Sequence, residues 1–463
     1  MNGNEMLKKL GRLSEITSMK DVRQLTTAMF PGTHCPLMGA AMAVRGIQDA
    51  YMLLVGTDEC AYYTKHMTLY SQDFGGVDGR CLSVVLDAQN VTFGCAAKME
   101  EAFDELVREY HPKAVFLVTT CIPELIGDDM DAIAGGLSQQ YDIPVMAVHT
   151  EHFKCDNHLP GLERTITACL GLMEPQEVDG SVNLLGQRMG RFDTTELCHV
   201  LKDAGVEIGM QLPCGCAVEE IRRGPRAKVN IVVNDIAMPL AKKMQRCFGT
   251  PYVFFDKYTD PDRILAAYQR LFSYLELPLP EELQEKYTVA KAAMERGREK
   301  LRGVTYIYGN TTFHPFEFNR FMVETGMVPQ IIQLSRFTEE DQGDLNGILQ
   351  HCDPYVTKSA NIAPLQYIYD VLKPQIYLGH EYAARLRKKG IAMAHLDRAT
   401  SMMGFEITDF VVDELTRAAE EAQALCSGEM PAGHPGMGGP MGMMGGHPGM
   451  AQNQSSDGKK VQS

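Results

Sequence analysis

No uncharged apolar run in the sequence approaches the roughly 18 residues that a membrane-spanning helix needs. The first residues, MNGNEMLKKLGRLSEITSMKD, put charges inside any apolar core a secretory signal would require. A cytoplasmic protein is expected. Basic residues are in deficit, with 44 Lys and Arg against 59 Asp and Glu and a formal charge of −15. Such a surface repels polyanions on average, which argues against nucleic acid or an anionic membrane as a general partner. No GxxxxGK[ST] loop occurs, so the chain is not expected to hydrolyse ATP itself. No CxxC pair occurs among the 13 cysteines either. In a reducing compartment these are thiols or metal ligands, not a disulfide framework.

What is present is an ordinary globular composition. The 463 residues are 45% hydrophobic. At roughly 150 residues per domain that length suggests about three domains, each able to bury its own core. Short runs rich in Val, Ile and Tyr predict buried strands at Tyr51 to Gly56, Ala114 to Thr120, Pro144 to His149, Val182 to Gly186, Val229 to Asn234, Tyr252 to Phe255, Val304 to Gly309, Pro329 to Leu334, Gln375 to Gly379 and Ile391 to His395. Segments with three- and four-residue apolar spacing lie between many of them, among them Met99 to Tyr110, Leu240 to Cys247 and Pro364 to Leu372. Alternating strand and helix implies α/β architecture with parallel sheets covered on both faces. The polar stretch EPQEVDG and the charged helix Pro280 to Lys300 mark two breaks. They predict three Rossmann-like doubly wound domains over 1–178, 179–300 and 301–427. Residues 428–463 are nearly all Gly, Pro, Met and small polar residues, a composition expected to be a disordered tail. Its His434 and His447, with the methionines, offer soft-metal ligands, although a solvated linker is the simpler reading.

Three cysteines share a context. Cys35 precedes Pro36 and an apolar helical segment, Cys60 follows a strand through the turn TDE, and Cys121 ends the strand AVFLVTTC. Each falls where a strand or loop meets a helix, the edge at which parallel sheets bind ligands. Helix-start amides are expected to lower a thiol pKa, and thiolates are what iron–sulfur clusters require. The alternative for each is a buried small hydrophobe.

Around these residues the chain resembles the nitrogenase component 1 superfamily, which includes molybdenum–iron protein subunits, their cofactor-scaffold relatives, and tetrapyrrole reductases. The likeness rests on Cys35-Pro-Leu-Met-Gly-Ala, on Gly56-Thr-Asp-Glu-Cys60, on Phe93-Gly94 and above all on Thr119-Thr120-Cys121-Ile-Pro-Glu-Leu-Ile-Gly-Asp128-Asp129. The resemblance implies that Cys35, Cys60 and Cys121 bind half of a P-cluster, or three irons of a [4Fe-4S] cluster, at a subunit interface. A homologous subunit or a second copy would supply the rest, and an ATP-dependent iron protein the electrons. Cys95, Cys155, Asp58 and Glu59 are the options for a fourth ligand, with a structural role the alternative for each. Cys214 and Cys216, in LPCGCAVEE, read as loop lining. The basic stretch Arg222, Arg223, Arg226 and Lys228 reads either as a solvated helix end or as a carboxylate-binding patch.

The resemblance weakens where catalytic subunits hold their large cofactor. At the second-domain strand, where they carry a cysteine, VNIVVNDIAM offers Asn234 and Asp235. His395 falls near the family's third-domain histidine, and His380 ends a strand at a pocket edge. Both are candidate catalytic proton donors in a cleft also lined by Asn234. The expected function is a nitrogenase-like oxidoreductase that relays electrons through an iron–sulfur cluster to a tetrapyrrole or a small organosulfur compound. The alternative is a non-catalytic scaffold for metallocluster assembly, and a second metallocluster stays open.

Overall fold

The computed structural model describes residues 2–26, 34–69, 80–188, 190–309, 311–358 and 362–427. The tail, with His434 and His447, lies outside them. Fourteen strands form three sheets among the described residues.

The first sheet holds β2 (Ala50–Gly56), β3 (Cys81–Val85), β4 (Ala114–Thr119) and β5 (Val145–Val148), in the order β3-β2-β4-β5, all parallel. The second holds β6 (Val182–Leu185), β7 (Ile208–Leu212), β8 (Val229–Val232) and β9 (Tyr252–Phe254), in the parallel order β7-β6-β8-β9. The third joins β10 (Thr305–Tyr308), β11 (Val328–Leu334), β12 (Tyr355–Lys358), β13 (Ile376–Leu378) and β14 (Ala392–Ala394) to β1 (Gly11–Arg12) in the order β1-β12-β11-β10-β13-β14. Only the β1–β12 pairing is antiparallel. In each sheet the order reverses direction, and a doubly wound sheet opens its crevice at such a point.

The continuous apolar runs reflect burial on two faces. Met52 and Leu54 enter one core and Leu53 and Val55 another, and Phe116 and Val118 are split from Val115 and Leu117 in the same way. The first of these cores runs on into the second sheet through Leu185, Leu212, Val232 and the Met238–Phe248 helix. All ten expected strands are present. Four were not foreseen: Gly11–Arg12 is two residues long, Tyr355–Lys358 ends in the polar Thr357 and Lys358, Ile208–Leu212 is interrupted by Gly209 and Gln211, and Cys81–Val85 is a partly exposed edge strand. No helix among the described residues is long and apolar enough to cross a membrane.

Candidate cluster-binding site

The carboxyl edge of the first sheet positions the three cysteines. Cys35 caps the Pro36–Gly46 helix in an extended conformation, with Pro36 at the first helical position. Gly39 and Gly161 let this helix sit directly on the Leu159–Ala168 helix: a Cβ on Gly39 would run into the His158 carbonyl, and one on Gly161 into the Pro36 carbonyl. Cys60 lies in the first turn of the Asp58–Leu69 helix after β2, and Cys121 opens the Cys121–Ile126 helix after β4. The ends of β2 and β4 are held together by the Thr120 N–H donating to the Val55 carbonyl at 3.1 Å, and Gly56 has no side chain to keep Thr120 away.

All three thiols are half-buried. Burial raises the Cys35 pKa, and the charge of Cys60 raises it further against the amides of Met38 and Leu37. Cys121 is raised by burial, then by Cys60 and Cys35. The expectation that helix starts would depress these pKa values is therefore corrected for both: the amides do act on Cys35, but desolvation and mutual repulsion outweigh them. Cys35 and Cys121, half-buried and each facing the neighbouring thiols, are groups whose thiolates a bound cation would stabilise. Among the described residues no three His, Cys, Asp or Glu side chains converge as a single bound ion requires. An iron–sulfur cluster spreads its thiolates over separate irons, so this donor set suits a cluster better than a lone ion.

The other proposed ligands stand differently. Cys95 is fully buried in the core, its thiol pushed up to about 12 by burial and by Asp128. The Cys155 sulfur accepts from Arg164 Nη1 at 3.7 Å, and Asp58 and Glu59 are exposed in the first turn of their helix. None of these is brought into hydrogen-bonding contact with the three thiols. His152, which the sequence reading passed over, is: its Nδ1 lies 3.0 Å from the Cys121 sulfur. Cys214 and Cys216 are buried where 213–216 packs on 46–48. The basic stretch is spent on neighbours, Arg222 and Arg223 on Glu219, Arg226 on Asp179 and Lys228 on Glu276, at 2.6–3.3 Å. That is the solvated helix end.

Between the sheets lies a second polar cluster. Arg336, after β11, reaches Asp235 after β8 at 3.1 Å and Glu163 on the Leu159–Ala168 helix at 3.4 Å, so one guanidinium ties elements of all three sheets. His314 stands 3.3 Å from Asp341 and 4.0 Å from Asp235. Arg188 contacts His158 at 3.0 Å, and burial together with that cation drives the His158 pKa down to about 3. Asp256, buried at the end of β9, is raised to about 6 by desolvation, which prevails over His314. Asn234 does not join this cluster through its side-chain oxygen, which accepts from the Ile236 amide. His380 pairs with Asp397 at 3.2 Å, and the exposed His395 acts on the same carboxylate. His380 alone is in contact with that carboxylate, and neither histidine hydrogen-bonds Asn234 among the described residues.

The chain is similar to known proteins in sequence and in fold. The chain is 32% identical over 224 residues to the nitrogenase iron-molybdenum cofactor biosynthesis protein NifE of Clostridium pasteurianum, covering 47% of this chain and 49% of that one. It therefore spans about half the length of that relative. The protein of the same name from Rippkaea orientalis is 26% identical over 326 residues, 68% of this chain and 69% of its own. The nitrogenase molybdenum-iron protein alpha chain of Clostridium pasteurianum is 22% identical over 383 residues, 78% of this chain and 70% of its own. The solved structure of nitrogenase Cp1 at pH 6.5 superposes with a TM-score of 0.73 at 14% identity, over 86% of this chain and 95% of that one, a likeness of fold. A family model for nitrogenase component 1 type oxidoreductases matches residues 35–419, from the first of the three thiols into the Glu406–Ser427 helix. The chain belongs to that family.

Proposed function

We propose that this chain is a scaffold subunit on which a nitrogenase-type metallocluster is assembled and from which it is passed on. The observation that carries this reading is the end of β8. Where the family's catalytic subunits offer a cysteine, this chain has Asn234, turned into a local cap, and Asp235, engaged by Arg336. A cargo cluster facing this cleft meets charges and histidines such as His314 instead of a thiolate, and such contacts are more readily exchanged. The relatives bearing the cofactor-biosynthesis name support the same choice over relay to a tetrapyrrole or organosulfur substrate.

Cys35, Cys60 and Cys121 would hold a resident [4Fe-4S] or P-cluster-like group, which when bound supplies single-electron transfer. The protein's own part is to present three thiols from three helix starts in a space that shields them from bulk water. Three thiols leave a cubane one ligand short, which supports a homologous component 1 subunit or a second copy as partner. With no phosphate-binding loop in the sequence, electrons would come from an ATP-dependent iron protein. We assign the three units 1–178, 179–300 and 301–427, with the strand at Gly11–Arg12 paired into the third sheet.

The test is transfer. The protein is purified without oxygen from cells that make the cofactor and mixed with a cofactor-free molybdenum-iron protein, and metal is counted on both after separation. The scaffold reading expects metal to move to the acceptor and restore its activity. Metal that stays while the protein itself reduces a substrate under MgATP and an iron protein would establish the relay reading instead.

A further inference from the structure

We propose that His152 is a positioning residue for the interface cluster: it donates a hydrogen bond from Nδ1 to the Cys121 sulfur and raises the cluster's reduction potential. The inference rests on the cluster assignment above. It adds a residue that is neither a ligand nor part of the family-resembling stretches.

The contact is built rather than incidental. His152 opens a short turn, His152–Lys154, after β5, and Cys121 opens a helix after β4. Glu124, one turn along the Cys121 helix, joins the two segments. Its Oε1 accepts from the Glu151 N–H at 3.0 Å, from Thr150 Oγ1 at 3.4 Å and from Thr119 Oγ1. Thr119 Oγ1 in turn accepts from the Thr150 N–H at 3.2 Å. Arg164, from the Leu159–Ala168 helix, holds the other side of the turn, donating to the Thr150 carbonyl and pairing with the Glu151 carboxylate, both at 2.5 Å. Glu151 itself is left-handed at φ 44°, a conformation that costs a non-glycine residue free energy and persists only where its surroundings hold it. That left-handed step turns the chain so that the next residue, His152, meets Cys121.

The chemistry follows from charge. A thiolate bound to iron carries negative charge that grows when the cluster gains an electron. An N–H aimed at that sulfur stabilises the reduced state more than the oxidised one, so the potential rises. His152 is exposed, and its ring stacks on Phe153 at 5.8 Å. The donor therefore stands at the surface where a partner would arrive, and covering it would strengthen the same bond by removing water.

The experiment compares anaerobically reconstituted wild type, His152→Phe, His152→Gln and Glu124→Ala. Iron and sulfide content, melting temperature and the cluster midpoint potential are read on each preparation, the last by a redox titration followed by electron paramagnetic resonance. The expected result is wild-type iron in His152→Phe with a lower potential, partial recovery in His152→Gln, which keeps an N–H donor, and a smaller fall in Glu124→Ala. Unchanged potential in His152→Phe at full iron content overturns the proposal. Loss of iron in His152→Phe at an unchanged melting temperature also overturns it, since His152 would then be a ligand. Absence of iron from the wild type would refute the cluster assignment itself, a failure distinct from either.

Discussion

Two sheet edges in this molecule carry their polar residues to opposite ends. At the first sheet, three separated cysteines arrive in one region, where glycines permit close contacts, Gly39 and Gly161 between two helices and Gly56 against Thr120. Elsewhere, comparable strand-end positions are already paired, Asp235 with Arg336 in the cleft between the sheets and His380 with Asp397 after β13. The difference teaches that the carboxyl edge of a parallel sheet only makes a place available. Whether it becomes a ligand site depends on whether the chain has already paired its charged groups with one another, as it has for Asp235 and Arg336.

The comparison breaks first, and by the largest margin, at the thiols. Cys35, Cys60 and Cys121 replaced together by Ser should abolish bound iron, counted after anaerobic reconstitution; retained iron would move the site elsewhere. Gly161→Ala comes next. Its Cβ has no room beside the Pro36 carbonyl, and forcing helices apart in a packed region costs about 1–3 kcal/mol. The melting temperature should fall and iron occupancy with it, because Cys35 rides on the displaced helix.

Within the cleft, Arg336→Ala strands Asp235 and Glu163 as partly buried carboxylates, a loss of about 1–3 kcal/mol on denaturant unfolding. Adding Asp235→Asn should return part of that loss, which a double-mutant cycle would measure. First-sheet iron should be unaffected in both.

The smallest effect belongs to His380. Its pKa is raised from 6.5 by Asp397, so its share of stability is present below the unfolded value and disappears as pH rises through the higher folded value. Asp397 is lowered from 3.8, so its share is present above that value and disappears as pH falls through the folded one. His380→Ala should lower the melting temperature modestly between about pH 4 and about pH 6.5 and converge with wild type at higher pH, the pair being largely exposed. A uniform offset at every pH would show that the histidine packs rather than pairs.

Much of this was legible in the residues. Strands buried on two faces announce themselves as continuous apolar runs, which is why Ala114–Thr119 and Val229–Val232 could be placed from sequence. Edge strands such as Cys81–Val85 could not, because a half-exposed edge needs no such run. The three helix-start cysteines could also be read from local context. The pKa direction of Cys35 and Cys121 could not, since it is set by burial and by the neighbouring thiols. Arg336, His314 and His152 gave no local signal: each acquires its role from partners far away in sequence, and only the fold supplies those partners.

The pairing of β1 with β12 has a consequence for how the chain is made. Arg12 lies 3.7 Å from the centroid of the Tyr355 ring, and Ser14 hydrogen-bonds Asp353 across 339 residues of sequence. Contacts of such separation close late, because the entropy of a long loop is lost before any bond repays it. During synthesis the first residues must wait, unpaired, until more than two further sheets' worth of chain has emerged. Once β12 has been made, and until β1 closes onto it, its outer edge is an open template for another chain to pair with. A nascent chain lacking that short strand would still acquire its thiol edge, yet would present a sticky margin, so its yield of dispersed protein should suffer before its cofactor chemistry does.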